Sequence, residues 1–132
     1  MKIILSTIED AFAHSKILKK EWLDFASSFS QNRQKSFLGG RAVLQESLSI
    51  FYSQKYLPEI TTLSHGKPVF VESRYPFFNI SHSGDYVVLA EADCPVGVDI
   101  EKIADIGIND DLLNIALTER EKLWVKDSLL RF

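Results

Sequence analysis

The sequence predicts an α+β fold, with helices packed on a small, mainly antiparallel sheet. Two patterns predict it. Residues 15–56 carry apolar side chains at helical spacing, and residues 69–101 carry short β-rich runs broken by Gly, Pro and Asp. A third observation bounds the size. A chain of 132 residues, 45% apolar and 25% charged, builds one domain with a real core and falls short of two.

Taken in order, KIILST is the first strand. HSKILKKEWLDFASSF places Ile17, Leu18, Trp22, Phe25 and Phe29 at helical spacing, with Ser15 as a candidate N-cap. NRQKSFLGGRAVLQESLSIFYSQKY predicts a longer helix with Asn32 as its cap. Phe37, Leu38, Leu44, Leu48, Phe51 and Tyr52 form its apolar stripe. Gly39 and Gly40 inside that helix cost about 1 kcal/mol each relative to Ala. Either the helix tolerates them, or a neighbouring backbone or ligand comes close there.

A loop then surrounds a short strand at Val69–Val71. DYVVLAEAD and VGVDIE read as two strands joined through Cys94-Pro95. Thr118-Glu119-Arg120-Glu121 fits a capping box, so a last helix starts there. The closing SLLRF stays helix-periodic with no Gly, Asn or Pro to end it, the pattern of a chain cut after residue 132.

Charge and cysteine narrow the function. Residues 1–80 carry ten Lys/Arg against seven Asp/Glu, and residues 81–132 carry five against eleven. A basic half beside an acidic half suits an anionic ligand bridged by a cation, or is simply uneven surface charge. Net charge of −3 argues against a nucleic-acid partner. Cys94 is the lone cysteine, so neither a disulfide framework nor a cysteine metal knuckle is present. There is no run of eighteen apolar residues and no signal-peptide pattern, so the expectation is a soluble cytoplasmic protein without a membrane partner.

Three pieces carry candidate chemistry. On a strand, Asp99 and Glu101 face the same way with Cα atoms roughly 6.6 Å apart, flanked by Val98 and Ile100 on the buried side. Two like charges at that distance are held together by a hard cation, best by magnesium. The alternative is a half-exposed strand with its polar residues outward. Ser81-His82-Ser83-Gly84 reads as a turn whose hydroxyls, imidazole and amides can hold a phosphate. It also fits a structural turn or, less well, a Ser-His pair. Gly66-Lys67-Pro68 fixes a stiff turn that presents an ammonium to an anion, or merely to solvent. Arg33, Lys35 and Arg41 on the long helix are further cations.

In this order the pieces form a pattern. GKP, FNISHSG beginning ten positions on, and VGVDIE beginning twelve positions beyond that, resemble the surfactin-synthetase-activating type of 4′-phosphopantetheinyl transferase. That family has a G-K/R-P turn, an F-N-x-S-H-S segment and a G-x-D-x-E strand, and SFLGGRAVL resembles its helical L-x-G-R-x-L-L stretch. The resemblance covers essentially the whole chain. It implies magnesium-dependent transfer of phosphopantetheine from coenzyme A to a serine of an acyl or peptidyl carrier protein, with release of adenosine 3′,5′-bisphosphate.

It also implies residue roles. Asp99 and Glu101 are the metal ligands and, with His82, the catalytic set. Lys67, Ser81 and His82 hold the coenzyme's phosphates. Lys35 and Ser36 meet the 3′-phosphate, with Arg33 and Arg41 as further candidates for that end. The family pattern continues with a W-x-x-K-E-A helix that bears a third acid. LWVKDS is one residue short of it, with Asp for Glu, and the preferred alignment makes LTEREKLWVKDSLLRF the segment that precedes that helix. The chain then reads as the first of two similar halves, of doubtful activity alone and prone to self-association through the face left bare. A non-catalytic coenzyme A or nucleotide module and a metal-dependent phosphoester hydrolase are the alternatives. The short holo-acyl-carrier-protein synthases of the same superfamily are near this length but carry their metal aspartate near the N-terminus, and Asp99 comes too late for that arrangement.

Overall fold

A three-stranded antiparallel sheet, in the order Lys2–Thr7, Tyr86–Ala92, Phe77–Ser83, lies against one long helix. The computed structural model describes residues 1–103 and 114–125, the side chains of the last two excepted. The expectations placed on WVKD and SLLRF fall outside them. Met1–Lys102 make one compact unit, and the described part of the second, Ile103–Phe132, contributes a helix. With helices and a small antiparallel sheet, the class is α+β. No described helix is long and apolar enough to cross a membrane.

β1 (Lys2–Thr7) is the predicted first strand. Thr7 then caps a helix absent from the expected layout, α1 (Ile8–Ala13), by accepting the amide of Asp10 at 3.1 Å. Glu9 and Asp10 in its first turn suit the positive end of the helix dipole. The expected helix beginning at Ser15 is instead two pieces. His14–Ile17 form a 3₁₀ turn, and α2 spans Lys20–Ala26. Ser15 lies buried inside the 3₁₀ turn and caps nothing. The break sinks Leu18 into the core, and Lys19 re-enters the next helix from an extended backbone.

α3 (Gln31–Tyr52) is the long helix, about 33 Å at 1.5 Å per residue. Its cap is Ser30 rather than Asn32; the Ser30 hydroxyl oxygen accepts the amide of Arg33 at 3.4 Å. Leu38, Ala42, Val43, Leu44 and Leu48 are buried, because α1, α2 and the sheet all pack on this helix. Phe51 and Tyr52 at the end of the expected stripe are exposed, and the Phe51 ring lies 3.7 Å beneath the Lys2 ammonium. The two interior glycines mark close approaches. A Cβ on Gly39 would meet Ala11 Cβ at 3.3 Å, and one on Gly40 would meet Ile80 Cγ2 at 3.0 Å.

β2 (Ile60–Thr62) and β3 (Pro68–Phe70) form a separate hairpin. Its turn contains Gly66 at φ +87°, a conformation that favours glycine. β4 (Phe77–Ser83) and β5 (Tyr86–Ala92) pair antiparallel across Gly84 at φ +56°, and β5 also pairs with β1. So Ser81–Ser83 belong to a strand, and only Gly84 and Asp85 remain for the turn.

Alternation sends Phe78, Ile80, Val87, Leu89 and Ile4 toward α3. Phe78 stacks on Phe70 at 4.8 Å, and Phe70 on Tyr75 at 5.4 Å. Glu91 also points inward. Its carboxylate is 1% exposed, accepts the Ser47 hydroxyl at 2.7 Å and pairs with Lys2 at 3.0 Å. The opposite sheet face leaves Ile3 61% and Leu5 60% exposed. In the second unit, α4 (Glu119–Val125) starts at the expected capping box. The Thr118 amide donates to Glu121 Oε2 at 2.8 Å, and the Glu121 amide donates to Thr118 Oγ1 at 3.4 Å.

Candidate functional site

β4 is an edge strand, and the segment carrying Asp99 and Glu101 runs alongside it. The expected VGVDIE strand does not form a backbone ladder. Its amides are taken by side chains. The N–H of Val98 donates to Asn79 Oδ1 at 2.8 Å, that of Ile100 to Ser81 Oγ at 3.2 Å, and that of Lys102 to Ser83 Oγ at 2.9 Å. The offset is a constant nineteen residues, so the segment is parallel to β4. It remains extended, with Val98 and Ile100 half-buried and Asp99 and Glu101 exposed.

The two serines also hold the acids. Ser81 Oγ donates to Asp99 Oδ1 at 2.8 Å, and Ser83 Oγ donates to Glu101 Oε1 at 3.2 Å. Each hydroxyl thus spends its one proton on a carboxylate and one lone pair on an amide. In this arrangement Ser81 has no donor left for a phosphate. Its place is with the acids.

His82 faces the other way. It lines a cleft of about 1350 Å³ together with Arg33, Lys35, Ser36, Asn32, Tyr86 and the acids Glu9, Asp10 and Asp85. That volume accommodates a ligand of nucleotide size. A smaller hollow of about 240 Å³ adjoins Arg33, Ser36 and His82 and includes Arg41. Burial pushes the Arg41 guanidinium down to about 10, well below its usual range. Its guanidinium lies 5.2 Å from the Trp22 ring and 5.0 Å from the Phe37 ring, and Nε has no hydrogen-bond partner among the described residues. A half-buried cation stacked on aromatics and short of acceptors is a ready anion site. The Ser36 hydroxyl donates to the Asn32 and Arg33 carbonyls, both at 3.2 Å, within its own helix.

Lys67 departs from expectation. It is half-buried, and its ammonium donates to the carbonyl of Val96 instead of standing at a free apex. It ties down the start of the acid-bearing segment.

The expected residues therefore fall into two groups that meet on β4. Arg33, Lys35, Ser36, Arg41 and His82 share adjoining hollows on one side. Ser81, Asp99 and Glu101 are joined by hydrogen bonds, with Lys67 anchoring the same segment. Asn79 and Ser83 belong to this second group and were not among the expected site residues. The sequence signal for them is an alternation, N-x-S-x-S, in step with G-x-D-x-E.

The donor set fits a hard cation in part. Asp99 Oδ2 and Glu101 Oε2 accept no hydrogen bond among the described residues, and two carboxylates with waters suit magnesium. Among the described residues no group of three His, Cys, Asp or Glu side chains comes together.

No family model matches the chain. Individual proteins do. The chain is 33% identical over 105 residues to the uncharacterized protein YieE of Escherichia coli, an alignment that covers 76% of this chain and 42% of YieE. It is 30% identical over 112 residues to the 4′-phosphopantetheinyl transferase gsp of Aneurinibacillus migulanus, covering 76% of this chain and 46% of gsp. It is 43% identical over 72 residues to the 4′-phosphopantetheinyl transferase AcpT of Escherichia coli, covering 54% of this chain and 34% of AcpT. The chain spans less than half the length of these curated relatives. It is thus similar, over part of their length, to proteins named 4′-phosphopantetheinyl transferases.

Proposed function

We propose that the chain takes part in magnesium-dependent transfer of phosphopantetheine from coenzyme A to a serine of an acyl or peptidyl carrier protein. One observation carries the reading. On a single strand, His82 lines the cleft that also holds Arg33 and Lys35, along with Glu9, Asp10 and Asp85, while its neighbours Ser81 and Ser83 hold Asp99 and Glu101. Consecutive Cα atoms are about 3.8 Å apart, so the cations and the acids meet at one stretch of edge. A pyrophosphate whose far end is a nucleotide needs both. The similarity to gsp and AcpT supports the same reading.

In the reaction the carrier serine oxygen bonds to the phosphorus that bears the pantetheine. The bond from that phosphorus to the bridging oxygen breaks, adenosine 3′,5′-bisphosphate leaves, and the serine proton passes to a base or to water. The protein's share is positioning and charge neutralisation. His82 donates to a phosphate oxygen, and Arg33, Lys35 and Arg41 hold the nucleotide's anionic end. Ser36 lines both hollows and meets the same end. Asp99 and Glu101 would hold magnesium, which when bound neutralises charge at the pyrophosphate. Further oxygen ligands come from water or from outside the described residues.

A non-catalytic coenzyme A module is favoured by one fact: no third acid joins the pair among the described residues. Mass spectrometry separates the readings. A carrier protein incubated with the chain, coenzyme A and magnesium gains the phosphopantetheine arm if the chain is a transferase. Coenzyme A binding with an unmodified carrier identifies the module.

A further inference from the structure

The hydrogen bonds beside β4 form a ladder built from side chains. An ordinary parallel neighbour would give its amides to the carbonyls of β4, and any sequence on β4 would serve. Here the acceptors are Asn79 Oδ1, Ser81 Oγ and Ser83 Oγ. The identity of three residues therefore fixes which part of the following segment pairs with which part of the strand.

The pairing is chemically matched. Each of these three side chains takes the amide nineteen residues on, and each serine also bonds the side chain eighteen residues on. Where that side chain is an acid, Asp99 or Glu101, the β4 residue is a serine, which can donate and accept at once. Where residue 97 is glycine, the β4 residue is Asn79, which needs only to accept. A slip of one residue would turn both acids toward the sheet and Val98 and Ile100 outward. A slip of two would set a hydroxyl against Gly97 or Ile103, with no carboxylate to receive it.

The ends are closed as well. Lys67 donates to the Val96 carbonyl at the start. At the far end a Cβ on Gly84 would lie 2.9 Å from Lys102 Cδ, so the β4–β5 turn fits closely beneath that side chain.

We infer that Asn79, Ser81 and Ser83 are positioning residues: their side chains set the register and the outward face of the segment that carries Asp99 and Glu101. The inference rests on the metal-site reading above for its function, and on the hydrogen bonds alone for its geometry. Neither Asn79 nor Ser83 needs to touch substrate or cation to act this way.

The test separates the two. Amide hydrogen exchange at Val98, Ile100 and Lys102 is followed by NMR in the wild-type chain and in Asn79→Ala, Ser83→Ala and Ser83→Thr. Manganese affinity is measured on the same samples by water-proton relaxation. Ser83→Ala is expected to speed exchange at Lys102 by about tenfold or more, and Asn79→Ala at Val98, with β1 and β5 amides unchanged. Losing such support weakens metal affinity about ten- to a hundredfold, so manganese affinity should fall by that factor in Ser83→Ala. Ser83→Thr, which keeps the hydroxyl, should restore both values. Unchanged exchange at Lys102 in Ser83→Ala overturns the inference, as does faster exchange with manganese affinity intact. If the wild-type chain binds no manganese, the metal-site reading falls, and the exchange result alone decides the ladder.

Discussion

The hydroxyl of Ser81 donates to the carboxylate of Asp99 at 2.8 Å, joining two residues eighteen positions apart. The same oxygen accepts the amide of Ile100. One side chain on an edge strand thus fixes both the course of a neighbouring segment and the orientation of its first acid. Glu101 repeats the arrangement on Ser83. Two like-charged groups are kept side by side on the surface by hydroxyls that approach from the strand, and Asp99 Oδ2 and Glu101 Oε2 accept nothing further among the described residues.

The approach of α3 to β4 at Gly40 should tolerate no branched side chain. A Cβ there already meets Ile80 Cγ2 at 3.0 Å. Gly40→Val is expected to lower the unfolding free energy by about 2–3 kcal/mol, the upper range for overpacking, read from the urea midpoint. Gly39→Ala faces 3.3 Å to Ala11 Cβ, and its cost is offset by the helix preference for Ala. Equal losses in the two variants would contradict the packing described.

Glu91 sits at 1% exposure against Lys2 and Ser47. Removing the cation strands a buried carboxylate, so Lys2→Met should destabilise by about 1–3 kcal/mol, discounted because Lys2 is partly exposed. Lys2→Met combined with Glu91→Gln should recover part of that loss. A double-mutant cycle by urea unfolding measures the coupling, and additive losses would deny it.

Arg41 is lowered by burial to about 10, below its usual range. A cation depressed in the folded state weakens the fold at all pH below about 10, and that cost fades as pH rises above about 10 toward the unfolded value. Removing the charge should therefore cost little. Arg41→Met is expected to keep the wild-type unfolding midpoint at pH 7 within about 1 kcal/mol. Pyrophosphate, by contrast, should bind it about tenfold more weakly, measured by calorimetric titration. Undiminished binding would remove Arg41 from the anion site.

Glu121 should titrate below its usual 4.5, because the hydroxyl and the amide of Thr118 both donate to its charged form. The depressed folded value means that the support it gives α4 is present above 4.5 and is lost as pH falls through the lowered value. NMR titration of the Glu121 side-chain carbon checks this. Thr118→Ala should raise the midpoint toward 4.5, and no change would contradict the capping box.

Much of this was legible in the sequence, for reasons specific to each element. β1 and β5 read as strands because each is a short β-rich run. The capping box at Thr118–Glu121 was legible because its chemistry is local. The break between α1, the 3₁₀ turn and α2 was not, since no Gly or Pro marks residues 14–19 and the burial of Leu18 decides it. Thr7 and Asp10 did offer a local cap signal for α1. For the site, the outward pair Asp99 and Glu101 followed from alternation alone. That VGVDIE would pair through side chains did not, because no periodicity distinguishes a carbonyl acceptor from a serine hydroxyl. Lys67 looked like a free turn cation because the carbonyl it meets, that of Val96, is twenty-nine residues away.

The central claim is that Asp99 and Glu101 bring a cation to a coenzyme A pyrophosphate held beside His82. Thermal unfolding of the chain with coenzyme A, with and without magnesium, tests it most directly when repeated on Asp99→Asn. The account predicts a rise in melting temperature with coenzyme A that grows when magnesium is added, and that in Asp99→Asn no longer responds to magnesium. A coenzyme A response identical with and without magnesium, or one unaltered by Asp99→Asn, would contradict it.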